Sequence, residues 1–223
     1  MIVAFAGQKG GVGKSTAAVS IAAEGVSRGR RVLLVDADPQ ATARTWGEVA
    51  TEGNRPVPTI VAMGAVMHRP EQLPRAGRGY DLIVIDCPPR AGDVQRSALM
   101  VADVAILPCG PSAADAWALA SSLDLVIEAQ TVRPILRAAV LITRKQARTA
   151  LGASARGVLA ESGLPVLSAE LGYRVAYQEA LAAGLGVTSY DAGGAAAGEV
   201  RALYAEILAL IKRKPAHGRQ AVG

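Results

Sequence analysis

Apolar residues gather along the chain in short unbroken runs at 2–6, 32–35, 59–62, 82–85, 104–107 and 139–142, with a weaker run near Val166. Runs of this length without polar alternation suit strands buried on both faces, the pattern of a parallel sheet. Between them the spacing becomes helical, over 15–27, 94–101, 115–129 and 151–162. A last helix is predicted over 195–212, where Leu203, Ile207, Leu210 and Ile211 share a face suited to docking on the sheet. Residues 53–58 and 69–79 read as loops or short irregular helix. Alternating strands and helices predict a doubly wound α/β fold, a mainly parallel sheet with helices on both faces. A chain of 223 residues suffices for one such domain, expected over 1–214 and followed by a basic, disordered tail at 215–223.

In an open parallel sheet, ligands bind beyond the carboxyl ends of the strands. The first apolar run leads into Lys9-Gly10-Gly11-Val12-Gly13-Lys14-Ser15-Thr16, a phosphate cradle of the P-loop NTPase fold. Its glycines let successive N–H groups turn toward one anion, Lys14 supplies a point charge for the β and γ phosphates, and Ser15 offers a hydroxyl to Mg²⁺ at a helix start. The loop departs from the standard spacing: Gln8 stands where that pattern has glycine, and Lys9 is an additional lysine. The second run ends in Asp36-Ala37-Asp38-Pro39-Gln40, two alternate carboxylates whose burial would be costly without a cation or hydrogen-bonding partner. The fourth ends at Asp86, the Walker B arrangement for holding Mg²⁺ through water. Ser15, Asp38 and Asp86 are therefore the candidate metal-site residues.

Composition sharpens this picture at two points. Only five of the 24 basic residues are lysines, yet two of those five sit in the cradle, where a compact ammonium fits a phosphate better than a planar guanidinium. The net charge of +5 is uneven, with Lys212, Arg213, Lys214 and Arg219 lying beyond Glu206, the last acid. A second acid-free stretch between Glu128 and Glu161 holds Arg133, Arg137, Arg144, Lys145, Arg148 and Arg156. Each stretch reads equally as a polyanion contact or as a solvated face. Cys87 and Cys109 are far apart in sequence, without the spacing of a disulfide framework or metal cluster, and are expected to be buried apolar residues. No apolar run is long enough to span a bilayer and the chain opens directly on strand-like sequence, which predicts a cytoplasmic protein.

The cradle with its first lysine resembles the deviant Walker A loop of the ParA/MinD group of ATPases. Further blocks at 36–40, 83–89, 108–115, 141–145 and 173–180 extend the resemblance to the small ParA partition and cargo-positioning ATPases of the ParF-like branch. The resemblance implies ATP and Mg²⁺ as cofactors and a homodimer that sandwiches ATP, with higher-order polymers as an extension of it. Lys9 would reach the partner subunit's nucleotide, Asp38 would position the attacking water, Asp86 would hold the metal's water shell, and Thr143 and Arg144 would border the adenine. For Arg144 a DNA or structural role stands beside that one. Arg174 matches an arginine near a DNA-binding face, or is a surface arginine at a helix start. The implied partners are nonspecific DNA and a ParB-like, centromere-binding or cargo-adaptor protein that stimulates hydrolysis, with a nucleoid-associated location and no membrane. Two other readings remain open. One is a MinD-like membrane regulator using the amphipathic 203–214 segment, and the other is a metabolic ATP-dependent enzyme with the same loop.

Overall fold

The computed structural model describes residues 1–146 and 149–212. Seven strands form one parallel sheet: β1 (Ile2–Phe5), β2 (Val32–Asp36), β3 (Thr59–Ala62), β4 (Leu82–Asp86), β5 (Val104–Cys109), β6 (Arg137–Lys145) and β7 (Val166–Gly172). Their order is β3-β2-β4-β1-β5-β6-β7. β2, β4 and β5 are buried at every residue, as their unbroken apolar runs predict. The connecting helices are α1 (Lys14–Ser27), α2 (Thr42–Glu52), α3 (Leu73–Ala76), α4 (Gly92–Val101), α5 (Ala113–Val132), α6 (Ala150–Ala160), α7 (Val175–Ala182), α8 (Val187–Tyr190) and α9 (Ala195–Lys212). Alternate strand residues feed two cores on opposite faces of the sheet. One packs Phe5, Leu34 and Val84 against Ile21, Trp46 and Leu203, and the other packs Leu33, Ile85 and Leu107 against Leu99 and Leu125.

Chain order reverses across β1, which lies between β4 and β5, so the crevice above β1 is the switch point where such sheets take ligands. Register sets the chemistry there: Phe5 pairs with Asp86, and Asp86 with Asp36, which brings the ends of the first, second and fourth strands side by side.

The two edges are protected differently. β3 is a short outer strand. At β7, Glu206 of α9 accepts hydrogen bonds from the N–H groups of Ser168 and Ala169, and Glu199 accepts from Gly172. These carboxylates occupy donors that would otherwise template another strand. They also show that α9 runs antiparallel to β7. Lys212, 13 residues beyond Glu199, therefore lies roughly 20 Å along the helix, toward the amino ends of the strands.

That placement corrects an expectation drawn from linear charge. Lys212 does not share a face with Arg174, which follows β7 at the carboxyl end. Nor do the basic residues between Glu128 and Glu161 form one stripe, because β6 separates Arg137 from Lys145 by roughly 26 Å. Arg133 pairs with Asp103, while Lys145 and Arg156 share Glu170. Arg148 and the tail expected at 215–223 lie outside the described residues.

Candidate nucleotide site

The cradle leaves β1 and enters α1 through Gly13, whose φ of 86° is left-handed, as is Gly11 at 72°. These turns need glycine, since a side chain there would be strained. α1 has no side-chain cap and no acid in its first turn, so its leading N–H groups and the positive end of its dipole are available to an anion. Thr16 and the cradle glycines Gly11 and Gly13 face a cavity of about 370 Å³ that also takes in Thr143, Arg144, Tyr173, Arg174 and Tyr177. The cavity brings Thr143 and Arg144 beside the phosphate loop. Arg174 meets Glu199 there through Nε and Nη2, at 2.8 and 2.7 Å, which raises the guanidinium's pKa further.

Four side chains from three elements outside the cradle hold it. Thr143 donates to Val12 O at 2.8 Å and Arg144 to Gly11 O at 2.9 Å, both from the end of β6. Ser122 of α5 accepts from Gln8 N at 3.0 Å. Gln95 of α4 accepts from Gly7 N at 3.1 Å. Lys14 is buried and donates its Nζ to Lys9 O at 2.7 Å; burial lowers its pKa, while the nearby Asp86 carboxylate and Asp38 pull it back up. An ammonium waiting on a main-chain carbonyl is positioned to transfer to a phosphate oxygen.

The three carboxylates have different roles. Asp36 is fully partnered: it accepts from Asp38 N at 3.1 Å and Arg44 N at 2.9 Å, with the Arg44 Nε 3.6 Å away. It braces the turn between β2 and α2, the loop-supporting role. Asp38 is half-buried at the site's mouth and accepts from Gln40 N at 2.9 Å. Asp86 is buried with neither oxygen hydrogen-bonded. Burial pushes its pKa up to about 7; the Ser15 hydroxyl and Lys14 oppose the shift, and Asp36 and Asp38 add to it. An orphaned buried carboxylate beside a serine hydroxyl and two further acids fits a hydrated divalent cation bound to phosphate.

Lys9 is not extended into solvent. It forms a 2.6 Å ion pair with Asp115, in the first turn of α5. Asp115 completes a capping box with Ser112, accepting from Ser112 N at 3.2 Å while Ser112 Oγ accepts from Asp115 N at 3.1 Å. Burial works against the Asp115 carboxylate, but hydrogen bonds from Lys9 and Ser112 outweigh it and hold its pKa below the usual carboxylate range. Gln95 and Ser122, both bound to the cradle's approach, carry no local motif.

Fold and site together define a P-loop nucleotide-binding protein whose cradle carries a second lysine. A profile of the CobQ/CobB/MinD/ParA nucleotide binding domain matches residues 3–187, and the chain belongs to that family as a ParA/MinD-type ATPase. It is 31% identical over 209 residues to the maintenance of carboxysome distribution protein A of Halothiobacillus neapolitanus, covering 92% of this chain and 95% of that one. It is 33% identical over 180 residues to the chromosome-partitioning ATPase Soj of Thermus thermophilus, covering 67% and 71%. Among solved structures, the septum site-determining protein MinD of Pyrococcus horikoshii, complexed with Mg-ADP, aligns with a TM-score of 0.66 at 20% identity, covering 96% of this chain and 98% of that one.

Proposed function

We propose that this protein is an ATP-driven positioning switch: ATP binding closes a homodimer that holds nonspecific DNA, and a partner protein on an intracellular cargo stimulates hydrolysis and release. The observation that carries the reading is the cradle itself, an uncapped helix start preceded by a lysine tethered only through a partly exposed ion pair. The amides of residues 11–16 bind the phosphates and Lys14 neutralises charge on them. Ser15 and Asp86, the latter through water, would hold Mg²⁺, with Asp38 beside them; the ion supplies charge neutralisation for the transferred phosphoryl group. Asp38 orients the attacking water and accepts its hydrogen bond. Lys9 leaves Asp115 and reaches the partner subunit's nucleotide as the dimer forms. The carboxysome-distribution and partitioning relatives support cargo positioning as the purpose of this cycle.

One specific point argues against α9 as a membrane anchor and so supports DNA as the working surface. The apolar face of α9 is occupied: Val200, Leu203, Tyr204 and Ile207 are buried in the core, with Leu210 and Ile211 packed against it. A helix spent in this way has no apolar face left to insert into lipid. Among the described residues, no helix is long and apolar enough to cross a membrane. Binding of unrelated duplexes, measured with an ATP analogue, ADP or no nucleotide, tests the reading. Affinity should appear with the analogue, and its logarithm should fall with the logarithm of salt by about 0.9 per phosphate contacted. ATP-dependent binding to anionic liposomes without DNA binding at low salt would overturn it.

A further inference from the structure

Gln95 has the strongest set of contacts in the site region with no role in the reaction as described so far. It stands in the first turns of α4, is 1% exposed, and uses both ends of its amide. Oε1 accepts from Gly7 N at 3.1 Å; Nε2 donates to Gly7 O at 3.3 Å and to Pro88 O at 2.8 Å. Gly7 is where β1 turns into the phosphate cradle, and its own φ of 155° lies outside a sheet conformation open to other residues. Pro88 follows Asp86 by two residues, and the next residue, Pro89, is the neighbour that a side chain at Gly10 would touch, at 3.9 Å. One side chain therefore links the base of the cradle, the segment that carries the metal-site carboxylate, and the start of a helix. No other described side chain hydrogen-bonds both segments.

We propose that Gln95 is a positioning residue that fixes the Asp86 segment against the cradle and carries the γ-phosphate-dependent position of that segment into α4. This rests on the ATPase reading above. Asp86 has no hydrogen bond of its own to fix its carboxylate, so its place relative to Ser15 and Lys14 depends on the backbone that bears it. At Asp86 and Cys87 that backbone is held by β1 and β2, and just beyond them Gln95 holds Pro88 O at 2.8 Å, while Ser122, Thr143 and Arg144 hold the cradle without it. Losing the amide should therefore spare diphosphate binding and impair the chemical step, since a displacement of about 1 Å at a reacting group costs about a hundredfold in rate.

The test compares Gln95→Met, which keeps the length and loses every hydrogen bond, with Gln95→Glu. Burial favours the protonated form of that carboxyl, which still accepts from Gly7 N and donates a hydroxyl to Pro88 O. With activity normalised to folded protein, Gln95→Met should bind ADP within about threefold of wild type and lose about ten- to a hundredfold in kcat. Gln95→Glu should recover kcat to within about threefold. A purely structural role would lower the melting temperature and the folded fraction of both without separating kcat from ADP affinity. Hydrogen exchange on the wild type gives a measurement independent of either variant: amides at Gly7 and in the first turns of α4 should gain protection together with an ATP analogue and not with ADP. Equal losses of kcat and ADP affinity, an equally impaired Gln95→Glu, or unlinked exchange would overturn the inference. A wild type that binds ADP but never hydrolyses ATP would instead sink the ATPase reading.

Discussion

If Lys9 must cross to a second subunit, its ion pair with Asp115 is a cost of dimerisation, and Asp115→Asn should lower it. The pair is 2.6 Å long, with 36% of the lysine side chain and 12% of the aspartate side chain exposed. At that exposure solvent screens the attraction, and about 1 kcal/mol per pair is the appropriate magnitude. Two pairs break when one dimer closes, so the substitution should tighten ATP-dependent dimerisation by about 2 kcal/mol, or roughly 30-fold in dissociation constant. Asparagine suits the test because its carbonyl can still accept from Ser112 N and preserve the capping box on α5, which alanine would break. Sedimentation velocity across a concentration series, with a nonhydrolysable ATP analogue, measures the shift. Lys9→Ala alone should bind ADP as monomer yet fail to dimerise, and in that background Asp115→Asn should have no effect. Unchanged dimerisation of Asp115→Asn in an otherwise wild-type chain would refute the reasoning, since the cis pair would then not compete with the trans contact.

Three further substitutions probe the site. Lys14→Ala should abolish detectable ATP binding by calorimetry while circular dichroism shows the fold retained, because Lys14 is the buried charge opposite the phosphates. Asp38→Ala should bind ATP and dimerise but turn over far more slowly, trapping the ATP state in a phosphate-release assay; unchanged hydrolysis would transfer the water-orienting role to another group. Asp86 has a folded pKa raised to about 7 from 3.8, so the nucleotide-free protein loses stability as pH rises from about 4 to 7. Asp86→Asn should therefore stabilise it at pH 8 in Mg²⁺-free buffer by as much as about 4 kcal/mol and not at all at pH 4, while weakening Mg²⁺-dependent nucleotide binding. Denaturant melts at the two pH values check the sign.

What was legible in the sequence is what is contiguous in it. The cradle, Asp36 with Asp38, and Asp86 are each the end of an apolar run, and the register of a parallel sheet is enough to bring those ends together. The buried strands announced themselves because both of their faces are apolar. α2 did not, although its buried positions, Ala43, Trp46, Gly47 and Ala50, fall at helical spacing, because only Trp46 among them is large and strongly apolar. α7 is short and begins beside the cavity, with Tyr177 and Ala180 as its buried residues. β6 runs past the apolar stretch to Lys145 because its last residues, Thr143 and Arg144, hold the cradle rather than the core.

The features that leave no mark in the sequence share a different cause: groups adjacent along the chain need not be adjacent in space. Arg133 and Arg144 belong to one acid-free stretch, yet Arg133 pairs with Asp103 before the start of β5 while Arg144 reaches Gly11 at the opposite end of the sheet. The sequence carries no mark of the Lys9 ion pair because the partner, Asp115, is distant along the chain and also belongs to the capping box of α5. Gln95 is 88 residues from Gly7 and Ser122 is 114 from Gln8, so neither has a local pattern to betray it. Both are uncharged side chains, buried against backbone amides, and their importance comes from pairing the N–H groups of Gly7 and Gln8. A phosphate-binding loop can thus be read from a dozen residues, but two of the side chains that fix its approach, Gln95 and Ser122, stand on helices whose sequences reveal only that they are helices.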